Sequence, residues 1–157
     1  MLKKAVLAVV ATAALAAAGV AAAAVVTHPR SLAVSSSGSL VTLHKTSLGK
    51  VLATGSGVTL YLFKADKGKV SKCYGKCATF WPPLLTSGKP KAGPGIKASL
   101  LGTSKRKDGK LQVTYKGHPL YTYVQDTKAG ETSGEGLNVS GGKWYALAPS
   151  GAVIDRD

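Results

Sequence analysis

The chain has few acidic residues, few aromatics, two cysteines and no recognisable catalytic signature. Seven Asp and Glu face 21 Lys and Arg, a formal charge of +14 at pH 7, and none of the seven precedes Asp66. Aromatics make up 6% of a chain that is 45% hydrophobic, because alanine crowded into the first 26 positions supplies much of the apolar content. G-x-S-x-G, H-E-x-x-H, P-loop and G-x-G-x-x-G patterns are missing, and S-x-x-K matches such as Ser47 to Lys50 and Ser104 to Lys107 are what chance gives in a Lys- and Ser-rich chain. With no His, nucleophile and carboxylate set, the chain reads as non-enzymatic and without a cofactor. Its 157 residues suffice to bury one core and are too few for a multidomain enzyme. The 19 Gly and 7 Pro sit among short apolar runs and disfavour helix interiors, so an all-β domain is expected rather than a helical bundle.

Lys3 and Lys4 precede a run from Ala5 to Val26 in which only Thr12 and Gly19 are not Ala, Val or Leu, and alanines fill positions 21–24. A charged start, an apolar stretch and small residues at its end make a secretory signal over residues 1–24, cut after Ala24 or a neighbouring alanine. The same run is long enough to span a bilayer, which leaves an uncleaved anchor as the alternative. Both readings put the remainder outside the cytoplasm. Residues 25–38, with Pro29 and the Ser35-Ser36-Ser37-Gly38 cluster, read as a flexible linker. The domain proper is then 39–157. Export removes most opportunity to meet nucleic acid, so the basic excess points instead to anionic cell-wall polymers or a membrane surface.

An internal repeat organises this domain. Gly49 to Lys69 aligns without a gap on Gly109 to Ala129, with seven of the 21 pairs identical, among them Gly57/Gly117, Leu60/Leu120, Tyr61/Tyr121 and Asp66/Asp126. The match resumes at Trp81 and Trp144, giving units of about 49–85 and 109–150. Each reads as strand, glycine turn, strand: Lys50 to Thr54, Gly55-Ser56-Gly57 and Val58 to Phe63, then Lys110 to Tyr115, Lys116-Gly117 and His118 to Val124. The expected fold is a mostly antiparallel sheet built from two homologous hairpin-centred repeats. Side chains alternate across a strand, so Tyr61 and Phe63 share one face and Leu60 and Leu62 the other, and both faces being apolar puts this strand mid-sheet.

Tyr61-Leu62-Phe63-Lys64-Ala65-Asp66 and Tyr121-Thr122-Tyr123-Val124-Gln125-Asp126 both fit Y-x-(F/W/Y)-x-x-D. With Cys73 and Cys77 before Trp81-Pro82-Pro83-Leu84, and Gln112-Val113-Thr114-Tyr115 before Gly117, the chain resembles a bacterial family of secreted-repeat lipoproteins of unknown function over residues 40 to 151. The resemblance implies localisation and architecture rather than chemistry. No cysteine precedes Cys73, so a lipobox and covalent lipid anchoring are not expected.

Candidate chemistry is sparse. Cys73 and Cys77, spaced C-x-x-x-C, favour a disulfide in an oxidising compartment. The sharper alternative is a copper or redox site with His118 as a third ligand. The motif residues Tyr61, Phe63, Asp66, Tyr121, Tyr123 and Asp126 have a structural reading, in which each Asp accepts backbone N–H groups and each Tyr buries its ring and finds one polar partner. Carboxylates converging in a cleft would instead bind a cation or sugar hydroxyls. Asp126, Glu131 and Glu135 form the one local acidic cluster but lack an EF-hand pattern. Lys105, Arg106 and Lys107 form the densest basic patch, read as a solvated loop or an anion-binding site.

Overall fold

A computed structural model describes residues 38–156. The signal and all but the last residue of the linker lie outside the described residues. Strand β1 (Leu40–Thr46) turns back into β2 (Gly49–Thr54) in an antiparallel hairpin. Thr46 fixes the turn, its hydroxyl accepting the Leu48 N–H and donating to the Gly49 carbonyl, both at 3.0 Å. After the 55–57 loop the chain passes Thr59, bridged to Ala53, and becomes β3 (Tyr61–Phe63). A short helix, α1 (Lys76–Phe80), carries Cys77, which is bonded to Cys73 just before it. Two-residue strands β4 (Leu85–Thr86) and β5 (Lys91–Ala92) lead to the second repeat, with β6 (Leu101–Lys105), β7 (Leu111–Tyr115) and β8 (His118–Pro119). The chain closes with β9 (Asn138–Val139) and β10 (Gly142–Ala146). All pairings between these strands are antiparallel except β1 with β5.

The repeats are joined by exchanging their last strands. β10 of the second repeat pairs with β3 of the first, Trp144 opposite Phe63 and Ala146 opposite Tyr61, and Leu52 N–H reaches Leu147 O at 2.8 Å. In mirror fashion, Pro83 bridges Tyr121, β4 pairs with β7, and Val113 N–H reaches Leu84 O at 2.8 Å. At the centre Tyr61 and Tyr121 swap both backbone hydrogen bonds, at 2.8 and 3.0 Å. Equivalent residues facing each other reciprocally define an approximate twofold axis between them. β3 therefore has a partner on both edges, as its two apolar faces require.

These hydrogen bonds also correct the gapless repeat alignment. Leu60 N–H donates to Leu52 O, and Leu120 N–H to Val113 O, so Leu52 corresponds to Val113 and the offset before the turn is one residue larger than after it. The first hairpin loop holds Gly55, Ser56 and Gly57, whereas the second is the two-residue Lys116-Gly117, both at positive φ (49° and 80°). Positive φ at both central residues is what a tight hairpin turn matching strand twist requires. Each unit also takes in an earlier strand than the sequence repeat indicated, β1 and β6.

Alternation along β3 divides the core. Leu60 and Leu62 join Val41, Leu52, Val113, Leu120 and Leu147 in an aliphatic cluster, while Tyr61 and Phe63 join Trp81, Tyr121 and Trp144 in an aromatic one.

Candidate functional site

The motif residues form an interlock between the repeats. Tyr61 O–H donates to Asp126 Oδ2 at 2.5 Å, and Tyr121 O–H to Asp66 Oδ2 at 2.8 Å. Each Asp holds a backbone N–H of its own repeat with the other oxygen: Asp66 Oδ1 accepts Lys72 N–H (2.7 Å) and Asp126 Oδ1 accepts Ser133 N–H (2.8 Å). Each Asp is thus a backbone acceptor and at the same time the carboxylate partner of the other repeat's Tyr, whose hydroxyl has a further polar contact, Gly134 N–H for Tyr61 and Ser71 Oγ for Tyr121. Burial, reinforced by the hydrogen bond to Asp126 and its charge, pushes the Tyr61 phenol far above its ordinary value. Burial and the Asp66 charge push Tyr121 up as well. Burial also raises Asp66, against the opposing pull of its Lys72 and Tyr121 hydrogen bonds.

Around this interlock runs a column of four stacked rings drawn alternately from the two repeats. Phe63 lies 4.1 Å from Trp144, Trp144 3.9 Å from Trp81, and Trp81 4.2 Å from Tyr123 between centroids. Tyr61 meets Trp81 edge-on at 5.4 Å and Tyr121 meets Trp144 edge-on at 5.2 Å. Gly134 allows this packing, since a Cβ there would sit 2.7 Å from Trp81 Cη2. A chain with few aromatics has placed six of them in one contiguous body, where stacked and edge-on pairs add about 0.5–1.5 kcal/mol each beyond area burial.

The basic segment departs from expectation at its middle residue. Arg106 is buried rather than solvated. Its guanidinium donates to Ser71 Oγ (2.9 Å), Gln112 Oε1 (2.6 Å) and Cys73 O (2.8 Å) and lies 4.4 Å from the centroid of the Tyr74 ring. Those donors are therefore engaged inside the protein, and Arg106 is a pin rather than a member of an open anion-binding patch. Lys105 and Lys107 remain exposed. Because Lys107 N–H donates to Tyr74 Oη at 3.1 Å, the pin lays them against the disulfide loop, which carries exposed Lys72 and Lys76. Sequence reading missed this hub because Ser71, Cys73 and Gln112 carry no charge signal and Arg106 sits between two lysines.

Cys73 and Cys77 are bonded to each other, as their spacing favoured, and in this state neither offers a thiolate to a metal. Among the described residues no group of three His, Cys, Asp or Glu side chains converges. His118 instead lines a cavity of about 300 Å³ with Lys64 and Asp66, and burial, then the charges of Lys64 and Lys116, push its pKa down. The acidic cluster is dispersed: Asp126 holds Tyr61, Glu131 accepts Lys128 N–H (2.9 Å), and Glu135 accepts Ala146 N–H (2.6 Å).

A family model described as a secreted repeat of unknown function matches residues 42–85 and 102–148. The chain belongs to this family of secreted repeats. Each match begins within the first strand of a unit; the first ends at the start of β4 and the second just past β10, so each spans one hairpin and reaches the strand that is exchanged. The family's secreted character agrees with the extracytoplasmic location read from the N-terminal residues. Among the described residues no helix is long and apolar enough to cross a membrane. No curated protein and no solved structure matches the chain.

Proposed function

We propose that this secreted-repeat domain is a non-enzymatic module that holds anionic polymers of the cell surface through its lysines. The observation that carries the reading is the unequal placement of charge. Asp66, Asp126 and Glu135 direct carboxylate oxygens to internal donors, while Lys72, Lys76, Lys105 and Lys107 stay exposed on two segments that Arg106 fastens together. Asp108, 3.7 Å from Arg106 Nε, is the one exposed carboxylate in the segment, so Lys72, Lys76, Lys105 and Lys107 outnumber their local counter-charge, and the Arg106 pin holds the two segments that carry them together.

The test is retention of the intact exported protein on immobilised wall teichoic acid. Strong retention at low ionic strength is expected, falling as the Debye length shrinks to about 8 Å at physiological salt and further above it. Replacing Lys72, Lys76, Lys105 and Lys107 by Gln weakens retention by on the order of tenfold. Retention that is insensitive to both salt and these substitutions, or absent at low salt, overturns the reading.

A further inference from the structure

The two ends of the aromatic column occupy equivalent places in the two repeats, yet they are finished differently. Lys64 N–H donates to Lys143 O at the Phe63 end, and Val124 N–H donates to Phe80 O at the Tyr123 end. The same backbone contact thus joins two lysines at one end and a valine and a phenylalanine at the other. At the lysine end the ring is closed off, with Phe63 2% exposed. At the apolar end Tyr123 is half-buried, Phe80 is 55% exposed, Val124 45% and nearby Val139 44%. Solubility alone favours the lysines, so large apolar side chains left open at this end mark a surface that meets something.

That end opens into a cavity of about 330 Å³ lined by Phe80, Trp81, Tyr123, Gln125, Val139 and Ser140. The other described cavities each include at least one lysine. This one has no charged lining residue in a chain of +14. It is an aromatic and aliphatic floor with one carboxamide and one hydroxyl at its rim, the make-up of a site that orients a neutral ligand by a few polar contacts. The floor is anchored from behind, because Tyr123 stacks on Trp81 and Trp81 on Trp144.

We infer that the Tyr123 end of the column binds a neutral pyranose ring of a glycan. The apolar C–H face of the sugar packs on the ring and aliphatic surface of Phe80, Tyr123 and Val139. Gln125 and Ser140, which supply both donors and acceptors, meet its hydroxyl and acetamido groups. The site shares helix α1 with Lys76, but none of the four lysines lines it, so the inference does not rest on the reading given for them.

The experiment is an amide chemical-shift titration of the intact protein with triacetylchitotriose and, in parallel, cellotriose, in about 0.5 M salt, where surface electrostatics are screened. Saturable shifts confined to Phe80, Tyr123, Val124, Gln125 and Val139 are expected with at least one of the two, with Kd on the order of 1 mM or tighter. The double variant Phe80→Lys and Val124→Lys copies the lysines of the other end. It keeps the native spectrum elsewhere and raises Kd at least about tenfold. Gln125→Ala, at an exposed position, gives a second variant should the first fold poorly, and it is expected to weaken binding while leaving the fold intact. Absence of saturable shifts with both sugars, shifts mapping to other faces, or unchanged affinity in both variants overturns the inference. Shifts here with octanoate and with neither sugar overturn it in favour of an acyl ligand.

Discussion

The two repeats carry the same interlock in different surroundings. Tyr61 and Asp126 are both buried, at 0% and 5% exposure, and the Tyr61 hydroxyl takes one further contact, from Gly134 N–H at 3.3 Å. Tyr121 is as buried as Tyr61, but its partner Asp66 is half-buried. Its hydroxyl lies 2.8 Å from Ser71 Oγ, which belongs to the Arg106 and Gln112 network. One contact is thus an isolated brace and the other an outpost of a polar hub. The difference teaches that the duplicated features, crossed tyrosines, stacked rings and exchanged strands, are what the fold needs. Features present in one repeat only, the Arg106 pin with its lysines and the apolar rim around Tyr123, are where the two proposals above place a specific role.

The comparison is broken most completely by separating the repeats. A chain ending at residue 86 keeps β1 to β4 and loses β10, the strand that lies beside β3. It is expected to remain unfolded, with amide shifts of a random chain, and to recover dispersion on adding the second repeat. A folded, monomeric first repeat contradicts the exchange as the basis of stability.

The column comes next. Trp81→Ala and Trp144→Ala each remove a fully buried ring with stacked neighbours on both faces and should cost about 3–5 kcal/mol in urea unfolding. The approximate symmetry predicts costs within about 1 kcal/mol of each other. A markedly cheaper loss of one ring means that the column is not shared equally.

Smaller again is the effect of the tyrosine hydroxyls. Tyr61→Phe leaves the buried Asp126 carboxylate without its phenol donor and is expected to cost about 1–3 kcal/mol. Tyr121→Phe should cost less, since Asp66 reaches solvent. Both phenols have folded-state pKa values above the ordinary 10.0. The folded state therefore keeps protons that the unfolded state loses above pH 10, and stability must fall as pH climbs through and beyond that value. Denaturation midpoints measured from about pH 9 to 11 should drop less steeply in the double Phe variant than in the parent. An unchanged slope contradicts the buried, hydrogen-bonded state of these phenols.

Much of the architecture is legible in the sequence. Leu60 and Leu62 face away from Tyr61 and Phe63 because a strand has a period of two, and that rule needs only the local sequence. The short spacing of Cys73 and Cys77 in an exported chain favoured their pairing for an equally local reason. Arg106 could not be placed the same way. Its contacts to Ser71 and Cys73 span 35 and 33 residues, so nothing near it distinguishes a pinned guanidinium from a solvated one. Phe80 and Val124 gave no signal either, because their exposure becomes meaningful only beside Lys143 and Lys64 at the equivalent end.

What the sequence determined by itself was the inventory: an all-β chain of two glycine-turned repeats, each with a Tyr, an aromatic, an Asp and a later Trp. These follow from side-chain period, turn chemistry and self-similarity, which are short-range or purely comparative properties. The tertiary structure decided which repeat each Tyr, Trp and last strand would serve. A phenol cannot specify along the chain whether its carboxylate is Asp66 or Asp126, since both are chemically the same partner. Only the closing of two β units over one shared core selects the crossed choice, by burying Tyr61 where Asp126, and not Asp66, meets its hydroxyl.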